Sequence, residues 1–117
     1  MNIVEEFRKN DIFSGLSGIA LSRLSAGCVI RTIEADHTLF REGDGGEAFF
    51  MLLSGSLRVY KHGPEGREIT VKLLKTGEIF GEVILFERDT YPATCVALEH
   101  SSVIVIRRQV FRELLTD

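Results

Sequence analysis

Ile79-Phe80-Gly81-Glu82-Val83-Ile84-Leu85, followed after a short gap by Tyr91-Pro92-Ala93-Thr94, is the stretch that decides how this chain is read. A glycine between an apolar pair and an acidic-apolar run marks a strand-to-helix turn, because glycine tolerates backbone angles that other residues avoid. The first N–H groups of a helix opened at Gly81 have no partner within it, and with the helix dipole they attract an anion or a polar ligand group. Glu82 in the first turn can accept two hydroxyl hydrogen bonds at once, as a sugar edge would offer. The same residues also suit a purely structural turn in which Glu82 complements the helix start. Three residues alone do not separate the two readings.

On either side of this stretch, the chain is punctuated in the manner of an antiparallel β protein. Alternating or apolar runs at 29–33, 38–40, 48–53, 56–61, 69–74, 94–98 and 103–106 are separated by Gly, Asp and Pro turns. Asp44-Gly45-Gly46 offers turn chemistry at positive φ, Gly55 sits where a strand turns a corner, and Thr76-Gly77 closes the strand before the 79–85 stretch. His62-Gly63-Pro64-Glu65-Gly66 reads as a hairpin loop. Helical spacing of Val4, Phe7, Ile12, Phe13, Leu16, Ile19, Leu21 and Leu24 predicts helices over 4–9 and 18–24, with Ser17 as an N-cap. A last amphipathic helix is expected over 109–116, with Val110, Phe111, Leu114 and Leu115 on its apolar face.

Composition bounds the function. With 117 residues, 44% of them hydrophobic, the chain suits one domain with a single core, and no apolar run is long enough to span a membrane. Met1-Asn2-Ile3-Val4-Glu5-Glu6 has neither the basic start nor the apolar core of a signal peptide, so a cytoplasmic location is expected. A net charge of −3 gives no electrostatic footprint for nucleic acid. Cys28 and Cys95 lie in apolar stretches and read as buried small hydrophobes, not as a disulfide. His37, His62 and His100 fall at separate turns with no nucleophile or carboxylate pattern around them, and neither Cys-x-x-Cys nor His-x-x-x-His spacing is present. The expectation is therefore no enzyme and no metal; a cupin-like metal site is the enzyme-class rival, and the chain lacks the clustered His-x-His that it would need.

The 79–94 stretch resembles the phosphate-binding cassette of the cyclic nucleotide-binding domain superfamily, which reads Phe-Gly-Glu, a short helix, then Arg-Ala/Ser-Ala-Thr. Leu39-Phe40-Arg41-Glu42-Gly43-Asp44 is similar to that family's Leu-Phe-x-Glu-Gly-Asp, and the run from Phe49 through Gly55 to Val59-Tyr60 is similar to the hairpin that follows it. The resemblance extends over nearly all 117 residues. It implies a mainly β fold, a double-stranded β-helix or jelly-roll barrel with N-terminal helices, a short cassette helix and a C-terminal helix, forming one effector domain over 1–117. It further implies the sensor domain of a Crp/Fnr-type transcription regulator, with a small-molecule effector and, in the full-length protein, a homodimer. The long helix and the helix-turn-helix DNA-binding output of that family are expected beyond Asp117, and the segment alone is expected to be a monomer or a weak dimer.

The ligand-binding residues that the resemblance implies are Phe80, Gly81, Glu82, Val83, Tyr91, Pro92, Ala93 and Thr94. Counted from Phe80 without a gap, Tyr91 stands where the family carries its phosphate-clamping Arg. Replacing a bidentate cation in this way weakens a cyclic nucleotide by roughly ten- to several-hundredfold. Arg88, flanked by Glu87 and Asp89, reads as a solvated, self-paired loop tip. The cofactor expectation is thus either a weakly held cyclic nucleotide or, as in family branches that lack the Arg, another effector such as haem in the full-length protein. Two alternatives stay open: a genuine cAMP- or cGMP-binding module of another signalling protein, marked by an Arg elsewhere in the cavity, and a degenerate interaction domain, marked by a cavity filled with Phe80, Phe86 and Tyr91.

Overall fold

The computed structural model describes residues 2–116, with side chains through Leu115. Met1 and Asp117, on which the readings of the two chain ends rest, lie outside the described residues. Helix α1 (Ile3–Arg8), a 3-10 turn at Asp11–Phe13 and α2 (Gly18–Ala26) come first. The Ser17 hydroxyl caps α2 by accepting from the Ala20 N–H at 3.1 Å. Eight strands follow: β1 (Val29–Ile33), β2 (Thr38–Phe40), β3 (Ala48–Ser54), β4 (Leu57–His62), β5 (Glu68–Leu74), β6 (Ile79–Phe80), β7 (Thr94–Ala97) and β8 (Ser101–Arg107). The chain passes from β6 through a 3-10 helix at Glu82–Leu85, the cassette helix, and after β8 into α3 (Arg108–Thr116).

The strands form two four-stranded antiparallel sheets, ordered β1-β8-β3-β6 and β2-β7-β4-β5. The expected mainly β jelly roll is the fold observed. Strand β3 shows why the alternation rule weakens at the centre of a sheet: Ala48 through Leu52 are all buried, although neighbouring side chains point to opposite faces. On one face Phe50 stacks on Phe40 and Phe80, with centroids 5.6 and 5.3 Å away. On the other, Phe49 meets Phe111 of α3 edge-on at 5.3 Å, and Phe111 in turn contacts Phe13, which touches Phe7 of α1. The helices thus seal one side of the sheet, while an aromatic stack fills the other. Full burial of each such ring contributes about 1.5–3 kcal/mol.

Several details depart from expectation. Strand β6 is only two residues long and is held by pairing of Phe80 with Phe50 and Ile79 with Met51, a tertiary contact with no local periodicity to announce it. Positive φ falls on Gly43, not within Asp44-Gly45-Gly46. Gly46 matters for space instead, since a Cβ there would lie 2.8 Å from Cβ of Ile84. Cys95 is fully buried as expected, but Cys28 only partly. Burial pushes the two thiols up to about 12 and about 11, so both are protonated near neutral pH.

Tyr91 belongs to this core. Its ring lies on Phe40, centroids 4.0 Å apart and planes 17° from parallel, and its hydroxyl donates to the Ala48 carbonyl oxygen at 2.6 Å while accepting from the Ala48 N–H at 3.4 Å. Deleting the hydroxyl leaves a buried carbonyl short of a partner, so Tyr91→Phe is expected to lower the unfolding free energy by about 1–3 kcal/mol. Urea denaturation of the two proteins checks it; an unchanged midpoint would place the hydroxyl in solvent.

Candidate functional site

A cavity of about 350 Å³ opens between the cassette and the β4–β5 hairpin, at the small end of the range for ligand sites. The cassette side supplies Phe80, Gly81, Glu82 and Val83, and the segment after it supplies Tyr91, Pro92 and Ala93. Phe40 of β2 forms part of the wall, and the hairpin contributes Val59 and Lys61 from β4 and Val71, Lys72 and Leu74 from β5. Seven of the eight residues implied by the sequence therefore converge on one space. Thr94 does not: it is buried, its hydroxyl oxygen accepts from the Glu42 N–H at 3.0 Å, and it faces a separate depression with Tyr60 and His62.

Local chemistry explains the cassette's shape. Gly81 turns the chain at φ 78°, a conformation that a side chain would strain, and its position above Phe49 and Phe50 brings the backbone close to the sheet. Behind the cassette the chain is zipped to the 43–46 loop. Gly46 N–H donates to Asp89 at 2.7 Å, Gly43 N–H donates to Tyr91 at 2.8 Å, and Tyr91 N–H donates to Asp44 at 3.0 Å, all onto carbonyl oxygens. These bonds fix where residue 91 begins, and the aromatic stack fixes where its side chain goes. Phe80 and Tyr91 form wall without filling the cavity, and Phe86 stays outside it, 72% exposed.

The far end of the cassette is tied to α3. Arg112 donates from Nε to the Leu85 carbonyl oxygen at 2.9 Å and from its terminal nitrogen to that of Ile84 at 3.4 Å. Arg108 reaches the same Ile84 oxygen at 3.4 Å and pairs with Asp89 at 3.3 Å. The expected self-paired tip around Arg88 is thus corrected: Asp89 takes its cation from α3, while Arg88 is exposed. The spacing of Arg108 and Arg112, one helical turn apart on one face, is the signal in the sequence that could have shown this link.

Charge around the cavity is uneven. Its cationic lining side chains are Lys61 and Lys72, both on the hairpin, and Glu82 of the cassette, which also lines it, is near enough to Lys72 to favour the charged lysine. Lys72 is bonded to Glu78 at 2.8 Å, which holds the lysine pKa above its ordinary value and the Glu78 pKa below. Burial raises the Tyr91 phenol, so it is neutral at physiological pH. Sequence reasoning missed the two lysines, because beyond the cassette it looked for an Arg and named no residue; the alternation of Val59 and Lys61 on one strand face is the trace they leave. Among the described residues no cluster of metal-binding side chains is found, and no helix is long and apolar enough to cross a membrane.

Comparison with known proteins agrees with this architecture. Residues 30–117 match the model of the cyclic nucleotide-binding domain. Over 106 residues, or 91% of its length, the chain is 23% identical to a CRP-like cAMP-activated global transcriptional regulator of Mycobacterium tuberculosis, of which it covers 47%. Over 81 residues, or 69% of its length, it is 38% identical to a cAMP-dependent protein kinase regulatory subunit of Aspergillus niger, of which it covers 19%. The chain therefore spans less than half the length of either relative. The sensor domain of the transcriptional regulator DNR from Pseudomonas aeruginosa superposes with a TM-score of 0.90 at 25% identity, over 97% of this chain and 76% of that one. Match, fold and cassette lead to one conclusion: the chain belongs to the cyclic nucleotide-binding domain family.

Proposed function

We propose that this domain is the ligand-sensing regulatory part of a Crp/Fnr-type transcription regulator and not an enzyme. A small effector occupies the cavity between the cassette and the β4–β5 hairpin, and α3 carries the consequence to a helix-turn-helix output in a cytoplasmic homodimer. The observation that carries the reading is the cassette's double attachment. Gly81, Glu82 and Val83 line the cavity, while three residues later the carbonyls of Ile84 and Leu85 are held by Arg108 and Arg112 of α3. A ligand shifts a conformational equilibrium only through contacts that differ between the states, and here an effector pressing on one end of a four-residue helix displaces the acceptors at its other end. The similarity to the DNR sensor domain and to the CRP-like regulator supports a transcriptional output.

A second reading follows from names: the relatives from Mycobacterium and Aspergillus are described as responding to cAMP. In our reading Tyr91 takes the place of the family's phosphate-clamping Arg and is turned into the core, so a cyclic phosphate finds no guanidinium among the residues that line the cavity. Haem has no support in the described site, where no histidine lines the cavity.

Two experiments test this. Calorimetry with cAMP and cGMP is expected to give dissociation constants no tighter than roughly 100 μM, the consequence of losing ~1.5–3 kcal/mol from a micromolar site; low-micromolar binding of either would favour the second reading. Arg112→Met is expected to speed amide hydrogen exchange in the cassette by about tenfold, by removing charge-assisted bonds of ~1.5–3 kcal/mol. Unchanged exchange there would show that α3 does not brace the cassette.

A further inference from the structure

A second depression, of about 470 Å³, is lined by Arg41, Glu42 and Gly43 of the turn after β2, by Tyr60 and His62 of β4 and by the buried Thr94. Tyr60 and His62 alternate along β4 with Val59 and Lys61, which line the cassette cavity, so the two hollows open on opposite faces of that strand. The floor is fixed. Arg58 Cζ sits 4.3 Å from the centre of the Tyr60 ring while its terminal nitrogens donate to Glu68 at 2.7 Å and Thr70 at 3.3 Å, and His62 meets Tyr60 edge-on at 5.5 Å. The rim is fixed as well: the Glu42 N–H donates to the Thr94 hydroxyl at 3.0 Å, the Arg41 N–H to the Asp44 carboxylate at 3.1 Å and the Gly43 N–H to the Tyr91 carbonyl at 2.8 Å. The charged side chains on this rim are uncommitted. The guanidinium of Arg41 and the carboxylate of Glu42 make no hydrogen bond or ion pair, with each other or with any described residue. Of the neighbouring charges, Arg58 and Glu68 neutralise each other, and Asp44 spends one carboxylate oxygen on the rim's backbone.

We infer that this depression binds a free α-amino acid as its zwitterion, the carboxylate on Arg41, the ammonium on Glu42 and an apolar side chain against Tyr60 and His62. A simple anion on Arg41 would lie beside the unpaired Glu42, and a simple cation on Glu42 would lie beside Arg41; a ligand that carries both charges leaves neither facing its like. The planar fork of Arg41 matches a carboxylate in a bidentate grip. Because the rim is already held by its backbone bonds, binding orders little more than two exposed side chains. The same rim reaches the cassette cavity. Gly43 and Asp44 exchange backbone bonds with Tyr91, whose ring is wall of that cavity, so an amino acid bound here loads the turn from the opposite face as a second input to the sensor. Binding at the depression is independent of what the cassette cavity holds; its role as a second input rests on the ligand-sensing reading.

The test titrates L-phenylalanine, L-phenylalaninamide, which lacks the carboxylate, and N-acetyl-L-phenylalanine, which lacks the ammonium, into the isotopically labelled domain, followed by NMR. The zwitterion is expected to bind at least about fivefold more tightly than either derivative, the size expected of one partly exposed ion pair. Intermolecular NOEs from the phenyl ring to the rings of Tyr60 and His62 are expected, with the Gly43 and Tyr91 amide shifts moving together. Arg41→Gln should bring L-phenylalanine down to the level of the amide, and Glu42→Gln to that of the acetyl derivative. Both side chains are exposed and unbonded, so the folded spectrum should survive each change. Equal affinities for the three probes, or affinities that neither variant alters, would overturn the inference. NOEs to Phe80 and Val83 in place of Tyr60 and His62 would also overturn it, while supporting the ligand-sensing reading of the cassette cavity. No response to any probe would overturn it and leave that reading to the nucleotide titrations. Binding with an unmoved Tyr91 amide would keep the site and overturn its role as a second input.

Discussion

The stack of Tyr91 on Phe40, with the phenol hydroxyl fixed to the backbone of Ala48, is the contact on which the site depends. It turns one side chain into both core and cavity wall. The ring buries apolar area against β2 and closes the base of the cavity. The hydroxyl is drawn inward because a buried carbonyl without a donor costs about 1–3 kcal/mol, a penalty that solvent exposure of the phenol would not offset. Once the side chain is committed in this way, the segment after the cassette contributes shape and no charge.

From that constraint the electrostatic layout follows. The cassette presents Glu82 and the hairpin presents lysines, of which Lys72 is paired with Glu78 and also feels the charge of Glu82. The guanidinium groups of the region are spent elsewhere: Arg108 and Arg112 hold the carbonyl end of the cassette helix, and Arg58 lies over the ring of Tyr60 and pairs with Glu68. In the proposed mechanism this division separates two tasks. Residues 81–83 meet the effector, and residues 84–85 report to α3. A short 3-10 helix suits the second task, because with few internal bonds its carbonyls remain available to external donors.

Much of the fold was legible because its signals are local. Ser17 caps its helix by its own side chain, the Gly63-Pro64-Glu65-Gly66 turn closes the β4–β5 hairpin, and apolar runs with glycine punctuation give the strands. What escaped notice depends on partners distant in sequence. Strand β6 exists because Phe50 and Met51 lie beside it, and the depth of Gly46 is set by Ile84. For the candidate site, the family resemblance located the cassette side but not the opposite wall, since nothing near Lys61 or Lys72 in the chain says that the hairpin folds over residues 80–83. Nor could the sequence reveal that the hydroxyl of Tyr91 faces Ala48, forty-three residues away.

The direction of that hydroxyl can be measured directly. With tyrosine labelled at Cζ, and Tyr60→Phe to assign the two signals, an NMR titration follows the Tyr91 phenol through alkaline pH. Burial raises the folded-state pKa above the ordinary value of 10.0, so its stabilising contribution is present below that pH and declines as the phenolate forms above it. The account predicts that Tyr91 remains protonated beyond the ordinary value and that its hydroxyl proton exchanges slowly with water. A Tyr91 signal that titrates at the ordinary value, with a rapidly exchanging hydroxyl, would place the phenol at the cavity mouth and contradict it.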